Sequence, residues 1–158
     1  MSGIAVSEGS VLDLAAVMDV MERAFDPAFG EAWTAPQCAG LLPMPGVWLS
    51  LAREGDDVLG FALGRVVLRE AELMLLAVKP EGRGRGIGQL LLDRFIHVAA
   101  TRGALDLHLE VREGNSAINL YAKTGFSEVG RRRNYYTGRD GQVYDALTLA
   151  KSITVQTP

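Results

Sequence analysis

One cysteine, Cys38, is all the thiol this 158-residue chain carries. A lone thiol excludes an internal disulfide and any cysteine-based zinc cluster, and it reads as a small buried apolar residue. The two histidines, His97 and His108, fall on a helix and a strand with no carboxylate cluster beside them, so no metal is expected. An excess of positive charge is also missing. Sixteen Lys+Arg face 19 Asp+Glu, a net charge of −3, which argues against general nucleic-acid binding. No apolar run approaches the ~18 residues of a membrane span. Met1-Ser2-Gly3-Ile4 has neither the basic region nor the apolar stretch of a secretory signal. A cytoplasmic protein with no membrane attachment is the expectation. What is plentiful is apolar side chain, 48% of residues, enough for the core of one globular domain. That domain is expected over residues 1–150, with 151–158 a loose polar tail.

The pattern along the chain alternates strands with helices. Ile4–Val6 reads as a first strand. Ser10 and Asp13 have capping-box spacing ahead of an apolar-periodic helix through Met18, Met21 and Phe25. Asp26-Pro27 and Gly30 break it; Thr34 caps a second helix with Pro36 in its first turn, and Pro43 and Pro45 end that one. Val47–Arg53 and Val58–Leu68 read as strands joined by a turn cluster at residues 54–57. Ala71–Val78 is apolar throughout, the mark of a central strand buried on both faces. A helix over Gly88–Thr101, a strand over Asp106–Val111 and a short helix over Asn115–Thr124 follow. Ser127–Tyr136 and Val143–Leu149 close the chain as a hairpin around residues 138–141. Strand, helix and strand around residues 79–105 imply a right-handed parallel crossover, making 73–78 and 106–111 parallel neighbours.

The segment Arg83-Gly84-Arg85-Gly86-Ile87-Gly88 joins such a strand to such a helix. Helix-opening N–H groups lack intrahelical partners and favour negative charge; glycines admit a phosphate and arginines add forked donors. Residues 83–89 therefore read as a pyrophosphate cradle. A nucleotide-hydrolysing P-loop is opposed by the absence of Lys-Ser/Thr after the glycines. The dinucleotide fingerprint fails because Gln89 stands where its third glycine belongs. A third pattern, Arg/Gln-x-x-Gly-x-Gly/Ala, is filled by Arg83, Gly86 and Gly88. It resembles the acetyl-CoA loop of the Gcn5-related N-acetyltransferases. By itself the segment is also compatible with a plain glycine-rich turn.

The later sequence extends the likeness: Leu109-Glu110-Val111-Arg112, Asn115, Leu120-Tyr121-Ala122-Lys123-Thr124-Gly125-Phe126, then Arg131-Arg132-Arg133-Asn134-Tyr135-Tyr136. With the loop, these resemble the ribosomal-protein alanine N-acetyltransferase branch of that superfamily, densely from about residue 71 to 150. The resemblance implies a single-domain α/β acetyltransferase fold, a mixed central sheet with two splayed parallel strands flanked by helices. It implies acetyl-CoA as cosubstrate, wedged between those strands. Its thioester carbonyl would lie on backbone N–H groups of Leu76, Ala77 and Val78. Its pyrophosphate would lie on Arg83, Gly84, Arg85, Gly86, Ile87, Gly88 and Gln89, with Asn115 as a further contact.

Acetyl transfer from a thioester needs a neutral amine, a polarised carbonyl and a proton for the leaving thiolate. An α-amine, with a pKa of about 7.7–8.0, is partly neutral at pH 7, whereas lysine near 10.4 starts far worse. Read alone, Glu110 is a strand carboxylate facing solvent or a base; the resemblance makes it the general base. Read alone, Tyr121 is a packing aromatic or an acid; the resemblance makes it the acid that protonates the CoA thiolate. Six residues separate Asn115 from Tyr121, where the branch has seven, and one missing residue turns a helix by ~100°. Asn115 is also a candidate helix cap. Arg131–Arg133, Tyr135 and Tyr136 line an acceptor side or form a solvated hairpin. Trp33 and Trp48 read as core or pocket wall. The segment Phe29-Gly30-Glu31-Ala32-Trp33 lies where the family shapes its acceptor site and matches the branch poorly. A protein N-terminal α-amine, a ribosomal protein's alanine in the branch, is the acceptor this implies. A small amine or a lysine is the alternative acceptor, and a non-catalytic acetyl-CoA sensor the alternative class.

Overall fold

The computed structural model describes residues 3–153. Its strands are β1 (Ile4–Gly9), β2 (Val47–Glu54), β3 (Asp57–Val67), β4 (Glu70–Val78), β5 (Asp106–Arg112), β6 (Ser127–Thr137) and β7 (Val143–Ser152). The helices are α1 (Leu14–Ala24), α2 (Ala35–Leu41), α3 (Ile87–Thr101) and α4 (Ala117–Lys123). The order of strands and helices is the one the sequence pattern predicts. Ser10 with Asp13, and Thr34 with Gln37, form the capping boxes that start the first two helical segments. A 3₁₀ turn over Val11–Asp13 precedes α1, and Phe25 leaves it in extended conformation, so the helix ends one residue earlier than its periodicity suggests.

The seven strands form one sheet in the order β1-β2-β3-β4-β5-β7-β6. Only β4 and β5 run parallel. On one face, α3 packs Leu91, Leu92 and Phe95 against Leu59, Ala62, Leu73, Leu107 and Leu109. On the other, α1 and α2 bring Val17, Val20, Met21 and Cys38 onto Leu49, Leu51, Phe61, Leu63 and Leu75. Trp48 is a core residue, stacked on Phe95 at 5.6 Å with the Arg102 guanidinium 4.9 Å over its ring.

Three expectations are corrected. The parallel pairing covers only Glu70–Leu73 with Asp106–Leu109, not residues 73–78. A bulge is the cause: β3 pairs Leu63 with Leu75 and Gly64 with Leu73, leaving Met74 as the extra residue. The bulge puts Met74 and Leu75 on the α1 face together, bends β4, and carries it away from β5. Secondly, β4 is central but not buried on both faces. Leu73, Leu75 and Ala77 are buried, whereas Met74, Leu76 and Val78 are half-buried because they border the opening. Thirdly, Lys151 and Ser152 continue β7, and the Ile153 N–H donates to the Leu105 carbonyl at 2.8 Å, so the ordered chain passes the predicted boundary at 150. Residues 154–158 of the expected tail lie outside the described residues.

Candidate active site

Beyond Leu73 and Leu109 the strands part, and two cavities share the opening. The larger, about 410 Å³, is bordered by Ala77, Val78, Arg83, Gly88, Leu120 and Arg112. The smaller, about 100 Å³, is bordered by Glu72, Met74, Glu110, Trp33, Tyr135 and Tyr136. Phe25, Glu31, Leu76, Asn115 and Tyr121 border both.

The glycine-rich loop stands at the far end of the larger cavity. A 3₁₀ turn over Pro80–Gly82 leads into it, and Gly86 immediately precedes α3. Gly84 and Gly86 both have φ of +76°, the left-handed region that disfavours a side chain, and the space where their Cβ atoms would stand is open. Gly88 serves packing: a Cβ there would come 3.3 Å from Leu120 of α4. The two arginines part ways. Arg83 borders the larger cavity, its guanidinium donating to the Ala24 carbonyl at 2.8 Å. Arg85 is paired with Glu54 at the end of β2 and borders neither cavity.

Glu110 stands one residue past the last parallel pair, on the β5 face toward α1. Its Oε2 accepts from the Thr148 hydroxyl at 2.7 Å and its Oε1 from Arg132 Nε at 2.9 Å. Its side chain keeps 13% exposure, enough for contact with water at the smaller cavity. Arg131 is instead held by Glu113 and by Asp145, at 2.9 Å from the latter, and Arg133 is exposed. Of Arg131–Arg133, Tyr135 and Tyr136, only the two tyrosines border the smaller cavity. A bulge between Arg132 and Tyr136 brings them there, with Asn134 at φ +52° and its N–H donating to Asp145 at 2.9 Å. That bond and Arg131 hold the Asp145 carboxyl below its ordinary pKa.

Tyr121 is 5% exposed and packs edge-on against Phe126 at 6.0 Å between centroids. Burial pushes its phenol well above the ordinary tyrosine pKa, and Tyr136 and Glu31 nearby push the same way. The group stays protonated through the physiological range. The one-residue shortening before it does not turn it away, because Tyr121 and Asn115 both border the two cavities. Asn115 Oδ1 accepts from the Ala117 N–H at 2.8 Å at the start of α4, while Nδ2 donates to Glu31 at 2.7 Å.

Sequence reasoning missed Glu31 and Arg112 as partners. Glu31 Oε1 accepts from Arg112 Nε at 2.9 Å, their side chains 10% and 11% exposed, with the guanidinium 3.8 Å over the Phe29 ring. No periodicity marks Glu31, because it sits between helices. His97 is exposed on α3, and among the described residues no three His, Cys, Asp or Glu side chains gather to hold a metal. No helix of the described residues is long and apolar enough to cross a membrane.

The pattern of the Acetyltransferase (GNAT) family matches residues 14–126. The chain belongs to this family. This acetyltransferase is 43% identical over 110 residues to the [ribosomal protein bS18]-alanine N-acetyltransferase of Salmonella typhimurium, covering 68% of this chain and 74% of that one. The Haemophilus influenzae enzyme of the same name is 43% identical over 97 residues, 61% of this chain and 66% of its own, just under two thirds of its length. The crystal structure of the ribosomal-protein-S18-alanine N-acetyltransferase from Escherichia coli superposes with a TM-score of 0.86 at 34% identity, covering 98% of this chain and 96% of that one. The acetyltransferase thus has the single-domain α/β fold expected from its motifs, with the splayed parallel pair at its centre.

Proposed function

We propose that this acetyltransferase moves the acetyl group of acetyl-CoA onto the N-terminal α-amine of a protein, with the N-terminal alanine of ribosomal protein bS18 as acceptor. The observation that carries the reading is the opening beyond Leu73 and Leu109. It has Glu110 on the smaller cavity and Tyr121 on the wall common to both. The relatives' named reaction supplies the acceptor. A cavity of about 100 Å³ suits a small first side chain.

In this reading the pyrophosphate of acetyl-CoA rests on N–H groups of residues 83–89 and on Arg83, and its thioester lies against β4 at Leu76–Val78. Asn115 borders that path while shaping the start of α4. Glu110 takes a proton from the α-ammonium through water. The amine nitrogen then attacks the thioester carbonyl, the C–S bond breaks, and the departing thiolate takes the proton of Tyr121. The second amine proton leaves as the amide forms, and solvent returns one to the phenolate.

Two measurements test this. Offered peptides with Ala, Ser or Met first, an N-blocked lysine peptide and small polyamines, the protein should acetylate the Ala-first bS18 peptide on its α-amine. Acetylation of lysine or polyamine alone would overturn the acceptor. Gly86→Val should weaken acetyl-CoA binding by about tenfold or more in calorimetry, because a left-handed β-branched residue costs roughly 1–2 kcal/mol and the loop shifts to escape it. Unchanged affinity in a folded variant removes the cradle.

A further inference from the structure

We infer that Glu31 is a positioning residue for this transfer: it clasps the start of α4 to the 27–33 segment and so fixes where Tyr121 stands between the two cavities. The inference rests on the proposed reaction for its kinetic consequence, but the clasp itself is geometric. Both carboxylate oxygens are used, Oε1 by Arg112 Nε at 2.9 Å and Oε2 by Asn115 Nδ2 at 2.7 Å. Asn115 passes the connection on, its Oδ1 accepting from the Ala117 N–H at 2.8 Å. Ala117 and Tyr121 are four residues apart, one turn of the same helix face. The chain of contacts therefore runs from Glu31 to the base of the turn that carries the phenol.

The helix needs such support. It has seven residues, and Ser116 before it makes no side-chain cap. A helix this short is marginal without tertiary contacts.

Glu31 is itself held from behind. Gly30 has φ of +69°, and a Cβ there would stand 2.0 Å from the Thr137 carbonyl oxygen. The Arg139 N–H donates to the Pro27 carbonyl at 3.1 Å. The β6–β7 hairpin tip thus seats the segment from which Glu31 reaches inward. An ion pair this buried carries a desolvation cost that offsets much of its attraction. Its consequence is therefore geometry more than stability.

The test compares three proteins: wild type, Glu31→Gln, and Glu31→Gln combined with Asn115→Asp. The first change puts an amide nitrogen against a donor, either Asn115 Nδ2 or Arg112 Nε. The second exchanges donor and acceptor across the 2.7 Å contact while keeping an oxygen toward Arg112 and another toward the Ala117 N–H. In Glu31→Gln, hydrogen exchange at amides 117–121 should quicken by about tenfold or more, the consequence of a buried polar group left unpaired. kcat should fall by a similar factor, with acetyl-CoA affinity within about threefold of wild type. The paired variant should restore the exchange protection. Wild-type exchange and kcat in Glu31→Gln overturn the clasp, as does failure of the paired variant to restore protection. Loss of kcat with normal exchange also overturns it and places Glu31 against the acceptor instead. Exchange needs no acceptor, so it decides the clasp even if the wild-type chain acetylates no peptide, a result that would sink only the proposed function.

Discussion

Glu110→Gln is expected to lower kcat by about 10²–10⁴-fold, the usual worth of a positioned general base, while acetyl-CoA affinity stays within about twofold. The substitution is conservative where it stands. An amide oxygen can still accept from Arg132, and the amide nitrogen can donate to the Thr148 hydroxyl, which is able to accept. Packing and the β5–β7 pairing at Glu110 and Thr148 are unaffected. What disappears is the only proton acceptor that Glu110 offers the acceptor amine. The residual rate should rise with pH as solvent alone supplies free amine, whose pKa lies at about 7.7–8.0. Steady-state kinetics over a pH series, beside a melting curve, decides the matter. A rate near wild type throughout would reduce Glu110 to a structural anchor for Thr148 and Arg132.

Tyr121→Phe is expected to slow the chemical step by about 10²–10³-fold, within the range for a lost general acid, with acetyl-CoA binding nearly unchanged. Only the hydroxyl goes; the ring keeps its edge-on contact with Phe126. The sign of the pH dependence follows from burial. A phenol whose pKa is raised remains in its donor form above the ordinary tyrosine range, so the wild-type kcat should not fall as pH passes about 10 on account of this group. A thioester with a more acidic thiol needs less protonation on departure, and the defect of the Phe variant should shrink with it. Single-turnover rates equal to wild type with both thioesters would leave Tyr121 as packing.

The parts of this molecule that obey local rules were legible in its sequence. The capping box at Ser10, the cap at Thr34, the turn clusters and the apolar period of α3 announce themselves within a few residues. Glu110 and Tyr121 were singled out only through likeness, since a carboxylate in a strand and a tyrosine before Gly-Phe have commoner uses. The bulge at Met74 was hidden: an unbroken apolar run carries no alternation, so nothing marks which residue is the extra one. Glu31 was hidden differently. Its partners lie 81 and 84 positions along the chain, and only the closed sheet brings Arg112 and Asn115 to it. The poor match of residues 29–33 to the resembled branch and the shortened Asn115–Tyr121 spacing looked like separate irregularities. They meet at one hydrogen bond.

The short parallel contact also divides the molecule mechanically. β1 to β4 form one antiparallel half, and β5, β7 and β6 form the other, joined through the sheet by four residue pairs from Glu70 to Leu73. A ligand lying across so brief a seam touches both halves at once. Occupancy then acts as a tie between them. At a concentration a hundred times its dissociation constant, such a ligand adds about 2.7 kcal/mol to the folded state. The cell's supply of acetyl donor would thereby set how long the protein survives as well as how fast it works.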